Sequence, residues 1–132
     1  MLRKGLGAVA GVAAFMVIGT VAGLILRASW PEYTRVADSM TFTLSMKFAR
    51  LAIGALATVA AGWIAAIIAR RSTIAALLPG ILLLLLFIPQ HIRLWDKFPV
   101  WYHLTFLSSL VPLSYVGGKT SKPQPADLAC RL

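Results

Sequence analysis

The side chains that could do chemistry lie together in one short segment of the chain, residues 89–103. This segment holds both histidines, His91 and His103, and the acid Asp96. The histidines are equidistant from Lys97, the centre of a predicted hairpin, so antiparallel pairing of the flanking elements brings them to similar depth. Two imidazoles could ligate a metal or the two axial positions of a haem. A histidine near Asp96 could instead relay protons, because imidazole titrates near neutral pH.

The same segment also predicts a contact surface. Tryptophan, tyrosine and arginine often anchor interfaces, and the amphipathic rings of tryptophan and tyrosine collect where a membrane meets water. We therefore expect contact with a partner membrane protein or with membrane lipid, the plain alternative being an interfacial hairpin without a further role. The predicted contact residues are Arg93, Trp95, Asp96, Trp101 and Tyr102.

Motifs for enzyme catalysis are missing from the sequence. The two histidines are a weak metal motif, because only Asp96 could serve as a third ligand. No Gly-x-Ser-x-Gly occurs, and the Gly-Lys-Thr near the C-terminus is not a phosphate-binding loop, because Leu113 stands where its first glycine is needed. The lone Cys130 excludes an internal disulfide. We expect a protein that is not an enzyme and binds no metal or cofactor.

Four apolar stretches position this segment and make up most of the 132 residues. Each has about the 17 to 25 residues that a membrane-crossing helix needs, and none contains a charge. The first is too long for the core of a signal peptide, so we expect a retained helix. The predicted fold is an all-α integral membrane bundle of four antiparallel transmembrane helices. This single domain comprises spans 5–26, 51–69, 73–89 and 99–116, and a flexible cytoplasmic tail, 117–132.

The charge balance fits this topology and excludes nucleic acid as a partner. The chain has 13 lysines and arginines against 4 acids, and its basic residues are scattered through the segments that flank the apolar stretches. Such residues set the orientation of membrane helices, since they are retained on the cytoplasmic side. The pair Arg3-Lys4 and the short turn Arg70-Arg71 both lie on the side of the termini. We expect both termini in the cytoplasm of a bacterium, with the chain in its inner membrane.

Small residues in the first two stretches predict where helices pack. In lipid, small side chains spaced by four positions let two helix backbones approach closely. We expect the stripes of the first and second spans to pack on each other, a homodimer seam being the alternative. The residues are Gly7, Gly11, Gly19 and Gly23 in the first span, and Gly54, Thr58 and Gly62 in the second.

The segment between the first two spans has its own pattern. Trp30-Pro31-Glu32-Tyr33 is typical of a turn, and apolar residues then recur at every fourth position from Val36 to Phe48. This spacing predicts an amphipathic helix at the membrane interface, or an outward extension of the second span. Arg50 is expected to reach back to that interface. In the third span, Pro79-Gly80 predicts a kink or weakened first turns.

These observations favour a small non-enzymatic accessory or interaction subunit of the inner membrane. One alternative is a homo-oligomeric transporter or channel for a small solute, with Ser108 and Ser109 of the fourth span on its path. The lack of a charge at mid-membrane weakens this alternative. A second is a haem or metal redox carrier that uses His91 and His103.

Overall fold

The computed structural model describes residues 2–121, and for Thr73 it describes the backbone alone. These residues are 85% helical and contain no β-strand. Residues 122–132, with Cys130 and most of the predicted tail, lie outside the described part. The helices are α1 (Leu2–Ser29), α2 (Pro31–Ala37), α3 (Leu44–Ile68), α4 (Thr73–Arg93) and α5 (Val100–Thr120).

Three of these helices are long and apolar enough to cross a membrane: Leu2–Ser29, Leu44–Ile68 and Ile74–Arg93. They coincide with the first three predicted spans and indicate an integral membrane protein. The first helix extends past both of its predicted bounds, α3 begins earlier and α4 ends later, because a helix can continue beyond a charged residue. Thr43 caps α3 by accepting from the Met46 amide at 3.5 Å, and Ser72 caps α4 by accepting from the Ala75 amide at 3.3 Å.

The connection between α1 and α3 differs from the predicted turn and from the predicted amphipathic helix, but agrees with the alternative of an extended second span. The expected turn at residues 30–33 is instead the start of α2, where Pro31 occupies the first helical position. Proline suits that position because its fixed φ is helical and its missing N–H would have no partner. The amphipathic helix expected from Val36 is interrupted, since residues 38–43 are not helical and Met40 adopts a φ of 58°. The outward extension of the second span is found from Leu44 onward.

The glycines of α1 are packed in its first half only. A Cβ added to Gly7 would lie 2.7 Å from the carbonyl oxygen of Ala65, and one added to Gly11 would lie 2.7 Å from that of Ala61. A Cβ at Gly19 or Gly23, by contrast, meets nothing within 4 Å. The predicted stripe therefore divides into a close contact with α3 and an open portion.

The glycines of α3 face α5, which the sequence analysis did not anticipate. A Cβ at Gly54 would lie 2.8 Å from the ring of Phe106, and one at Gly62 would overlap the backbone of Ser114. Alanines of α3 face α1, because the methyl group of alanine is small enough for that contact. The stripes predicted to pair with each other are thus used on two different sides of α3. Thr58, in the same stripe, is buried and donates to the carbonyl oxygen of Gly54 at 2.6 Å.

The helix at the fourth predicted span, α5, ends later than expected. Residues 117–120, predicted as the start of a flexible tail, continue α5 to Thr120. A Cβ at Gly117 would overlap the carbonyl oxygen of Val59, and one at Gly118 would overlap the side chain of Ala76. The two glycines look like a flexible linker in sequence, but here they allow α5 to approach α3 and α4.

Pro79 lies inside α4, which the structure assigns as one helix across Pro79-Gly80. Proline removes a backbone donor and disturbs the preceding turn of its helix. Ser114 of α5 donates to the carbonyl oxygen of Ala76 in that turn. The carbonyl left without its amide partner by Pro79 is that of Ala75, so the Ser114 hydroxyl adds a hydrogen bond at the neighbouring carbonyl of the same turn.

This packing predicts opposite effects for two glycine substitutions. Gly117→Ala should destabilise the bundle by about 1–3 kcal/mol, because the new methyl group forces α5 away from α3. Gly19→Ala should be neutral or slightly stabilising, because it fills open space and favours helix over glycine. Thermal unfolding in detergent micelles measures both, and equal melting temperatures for the two variants would contradict the packing described.

Candidate functional site

The histidine pair lies where the end of α4 meets the start of α5, called the hairpin end below. The Nδ1 atoms of His91 and His103 are 2.6 Å apart, which is a hydrogen bond between the two rings. His91 is 7% exposed and His103 is fully buried. The structure therefore brings together the two residues that the sequence placed at similar depth.

Aromatic rings enclose this pair. Trp95 stacks on His103 with centroids 4.8 Å apart and an interplanar angle of 8°. Phe106 stacks on His91 at 4.9 Å. One Nδ1 must donate and the other accept, so one proton lies between the rings. The Nε2 atom of His103 is buried without a hydrogen-bond partner among the described residues.

A metal ion or haem does not fit between these two imidazoles. Two nitrogens bound to one tetrahedral zinc at about 2.0 Å would lie about 3.3 Å apart, and axial haem ligands would be separated by the macrocycle. The observed 2.6 Å is the distance of a direct hydrogen bond. Within residues 2–121 no group of three metal-binding side chains is found either. The structure gives the redox-carrier alternative no ligand set.

The predicted contact residues divide into exposed and buried members. Trp95 is 47% exposed and Trp101 is 39% exposed. Arg93 and Asp96 are also exposed, and no hydrogen bond in the described part of the chain links Asp96 to a histidine. Tyr102 is buried and faces the interior. The exposed four form the rim of the hairpin end, whereas Tyr102 belongs to the interior.

Arg50 is the functional candidate that sequence reasoning missed. Its Nη1 donates to the hydroxyl of Tyr33 at 2.7 Å, and its Nε donates to the hydroxyl of Tyr102 at 3.4 Å. Its guanidinium lies 4.9 Å from the ring centre of Phe42. The side chain is half-buried, and its partners Tyr33 and Phe42 are buried side chains of the connection between α1 and α3. An arginine directly before an apolar stretch was the available signal.

A cavity of about 250 Å³ opens beside Arg50 at the hairpin end. It lies between α1, α3, α4 and α5. Its walls are mostly apolar, and Gly19 and Gly23 of α1 form part of them. The unpacked half of the α1 glycine stripe therefore borders the cavity. The polar side chains that line it are Tyr33, Arg50, Gln90, His91 and Tyr102.

The serines of the predicted solute path do not line this cavity. The Ser109 hydroxyl donates to the carbonyl oxygen of Phe106 at 2.8 Å, and that of Ser108 donates to Thr105 at 3.4 Å. Both hydroxyls are thus engaged within α5 itself. In the described part of the chain, these two serine side chains therefore do not line a polar path.

Comparison with protein-family models, with curated proteins and with solved structures finds no match to the chain.

The hydrogen bond between His91 and His103 predicts that substitutions of these two residues have non-additive effects on the free energy of unfolding. His91→Phe or His103→Leu alone should each cost about 1–3 kcal/mol, because the remaining imidazole loses its partner in a buried site. The double variant should cost less than the sum, since it leaves no unpaired ring nitrogen. Chemical unfolding in detergent, followed by tryptophan fluorescence because Trp95 stacks on His103, gives the coupling. Strictly additive costs would show that the hydrogen bond contributes nothing.

Proposed function

We propose that four helices, α1, α3, α4 and α5, cross the membrane in alternating directions. The 21 residues of α5 extend about 31 Å, which matches a hydrocarbon core of about 30 Å. The polar residues that make α5 less apolar than the other three do not oppose this. The hydroxyls of Ser109 and Ser114 both donate to backbone carbonyl oxygens. The seven residues of α2 are too few to cross.

Close contacts between helices support the alternating directions. Gly7 faces Ala65 and Gly11 faces Ala61, so residue numbers rise along α1 as they fall along α3. From Gly54 beside Phe106 to Gly62 beside Ser114, numbers rise together along α3 and α5. This is the pattern of a chain that reverses direction at each span.

The proposed location is a bacterial inner membrane, with both termini and the turn at Arg70-Arg71 in the cytoplasm. Basic residues near both termini and in this short turn favour that orientation. The hairpin end, with Trp95 and Trp101 exposed, then lies at the outer interface. Tryptophan suits that level because its ring is apolar and its N–H can bond to water or to head groups.

Cysteine labelling tests the crossing of α5. In bacterial spheroplasts, a membrane-impermeant maleimide should label Asp96→Cys in a Cys130→Ser background from outside. The native Cys130 of the parent chain should react only after the membrane is permeabilised. Labelling of both positions from the same side would show that α5 does not cross.

We further propose that the protein is a non-enzymatic interaction subunit whose hairpin end contacts a partner membrane protein or lipid. The observation that carries this proposal is that Trp95 and Trp101 are exposed on a hairpin whose inner face is held in place by stacked rings. The inner face of the hairpin is held by the stacking of Trp95 on His103 and of Phe98 on Tyr102 at 4.5 Å. A rim that is already ordered loses little conformational freedom on binding, which favours a specific contact.

Site-specific photo-crosslinking distinguishes a protein partner from lipid. The crosslinker p-benzoylphenylalanine in place of Trp101 should capture one protein in whole cells, whereas the same residue in place of Trp63 should capture lipid alone. Trp63 is a matched control, because it is 45% exposed against 39% for Trp101 and lies away from the hairpin end.

The companion variant Trp101→Ala should lower recovery of that protein severalfold, while Trp63→Ala should leave it unchanged. Lipid adducts at both positions, with no protein captured, would reduce the hairpin end to a membrane anchor.

A further inference from the structure

The hydrogen-bond donors around Arg50 outnumber the acceptors that the chain provides. A guanidinium has five N–H groups, and Arg50 uses one on Nε and one on Nη1. The hydroxyls of Tyr33 and Tyr102 accept these bonds, so the hydrogen of each hydroxyl is still free to donate. Three N–H groups and two O–H groups thus have no acceptor among the described residues, and all three side chains line the cavity.

No acidic side chain of residues 2–121 balances this charge. Glu32, Asp38 and Asp96 are all exposed, and the hydrogen-bond partners of Arg50 are the neutral hydroxyls of Tyr33 and Tyr102. Gln90 and His91 also line the cavity but form no hydrogen bond to Arg50. Arg50 is half-buried on the cavity wall and has no acidic partner among the described residues. Ionisable groups enclosed in helix bundles are normally paired, so this arrangement indicates a functional site.

We infer that the cavity at the hairpin end binds the anionic head group of an amphiphile, a carboxylate or phosphate carried on an apolar chain. The guanidinium supplies charge-assisted hydrogen bonds in the fork geometry that matches both anions, and the tyrosine hydroxyls add two donors. The apolar walls favour an amphiphile over a free inorganic ion, because Phe15, Phe87 and Phe106 offer an anion no hydrogen bonds.

The half of α1 that contains Gly19 and Gly23 offers a path for the apolar chain of the ligand. The cavity of about 250 Å³ accommodates a head group and not a complete lipid, so the chain must leave it. Gly19 and Gly23 line the cavity without contacting another helix, and exposed apolar residues such as Val17 and Leu24 flank them on α1. The ligand would therefore enter beside α1 with its head group toward Arg50.

Native mass spectrometry of the full chain in detergent tests this site. The probes are dioleoyl phosphatidylglycerol, oleate and inorganic phosphate, with dioleoyl phosphatidylcholine as the zwitterionic comparison. We expect one retained phosphatidylglycerol or oleate per chain. Preference between these two identifies phosphate or carboxylate as the head group. The inference would be overturned if inorganic phosphate, which has no apolar chain, bound as tightly as the amphiphiles. It would also be overturned if no anion were retained.

Two kinds of variant test the site independently. Arg50→Gln removes the charge, and retention of the anionic amphiphile should fall at least about tenfold. Gly23→Leu fills part of the cavity while the Arg50 side chain is kept, and it should cause a similar loss, even where Arg50→Gln fails to fold. Gly5→Leu is the matched control, because Gly5 also lies in α1 with nothing within 4 Å but does not line the cavity. Unchanged retention in Gly23→Leu would overturn the inference.

The outcome is separable from that of the rim contact. Trp101→Ala changes an exposed side chain that does not line the cavity, so it should retain the amphiphile. Loss of retention in Trp101→Ala, with Arg50→Gln unaffected, would move the anion site from the cavity to the rim and overturn the assignment.

Discussion

The close approach of helix backbones to α3 is the constraint on which the other features depend. Within lipid, hiding apolar surface does not drive helices together, so contact must come from backbones that fit closely. Gly7 and Gly11 provide this fit on one side of α3, and Gly62 and Gly117 provide it on another. All four contacts lie away from the hairpin end. Helix backbones are therefore closest at the end of the termini, whereas aromatic side chains fill the hairpin end.

The cavity is a consequence of that difference. Along α1 the glycines at 19 and 23 continue the spacing of those at 7 and 11, but no helix packs against them. The connection through α2 covers the space beside these glycines, and Tyr33 stacks there on Phe42 with ring centroids 5.0 Å apart. Polar side chains gather around this space because it is where an apolar bundle can hold them. Arg50 is bonded to two tyrosine hydroxyls there, and the histidines are bonded to each other.

Two surfaces of the hairpin end then have separate roles in our proposals. The rim of Arg93, Trp95, Asp96 and Trp101 faces outward and suits a partner or the lipid interface. The interior presents donors without matching acceptors, and so suits an anion. Both depend on the stacked rings between them, because Trp95 and Tyr102 each belong to the cluster that fixes the histidines and Arg50. A change in this cluster would therefore alter both surfaces.

The sequence by itself determined the class of protein, because stretches of apolar residues without charges have one stable environment. It also located the histidine pair, since spacing about the centre of a hairpin sets relative depth. It could not determine which faces of the helices meet, because glycine spacing is the same whether a stripe packs on α1, on α5 or on nothing. The Gly117-Gly118 pair shows this, because its sequence is typical of a flexible linker whereas the structure places it in a contact between helices.

The role of Arg50 was decided by tertiary structure alone. An arginine before an apolar span can reach water or turn inward, and the choice depends on what lies around it. Tyr33 comes from α2 and Tyr102 from α5, distant from Arg50 in sequence. Only the folded bundle places these hydroxyls beside the guanidinium, and only their shared cavity shows donors without acceptors. Local residue patterns describe neighbours along the chain, whereas a binding site is made by neighbours in space.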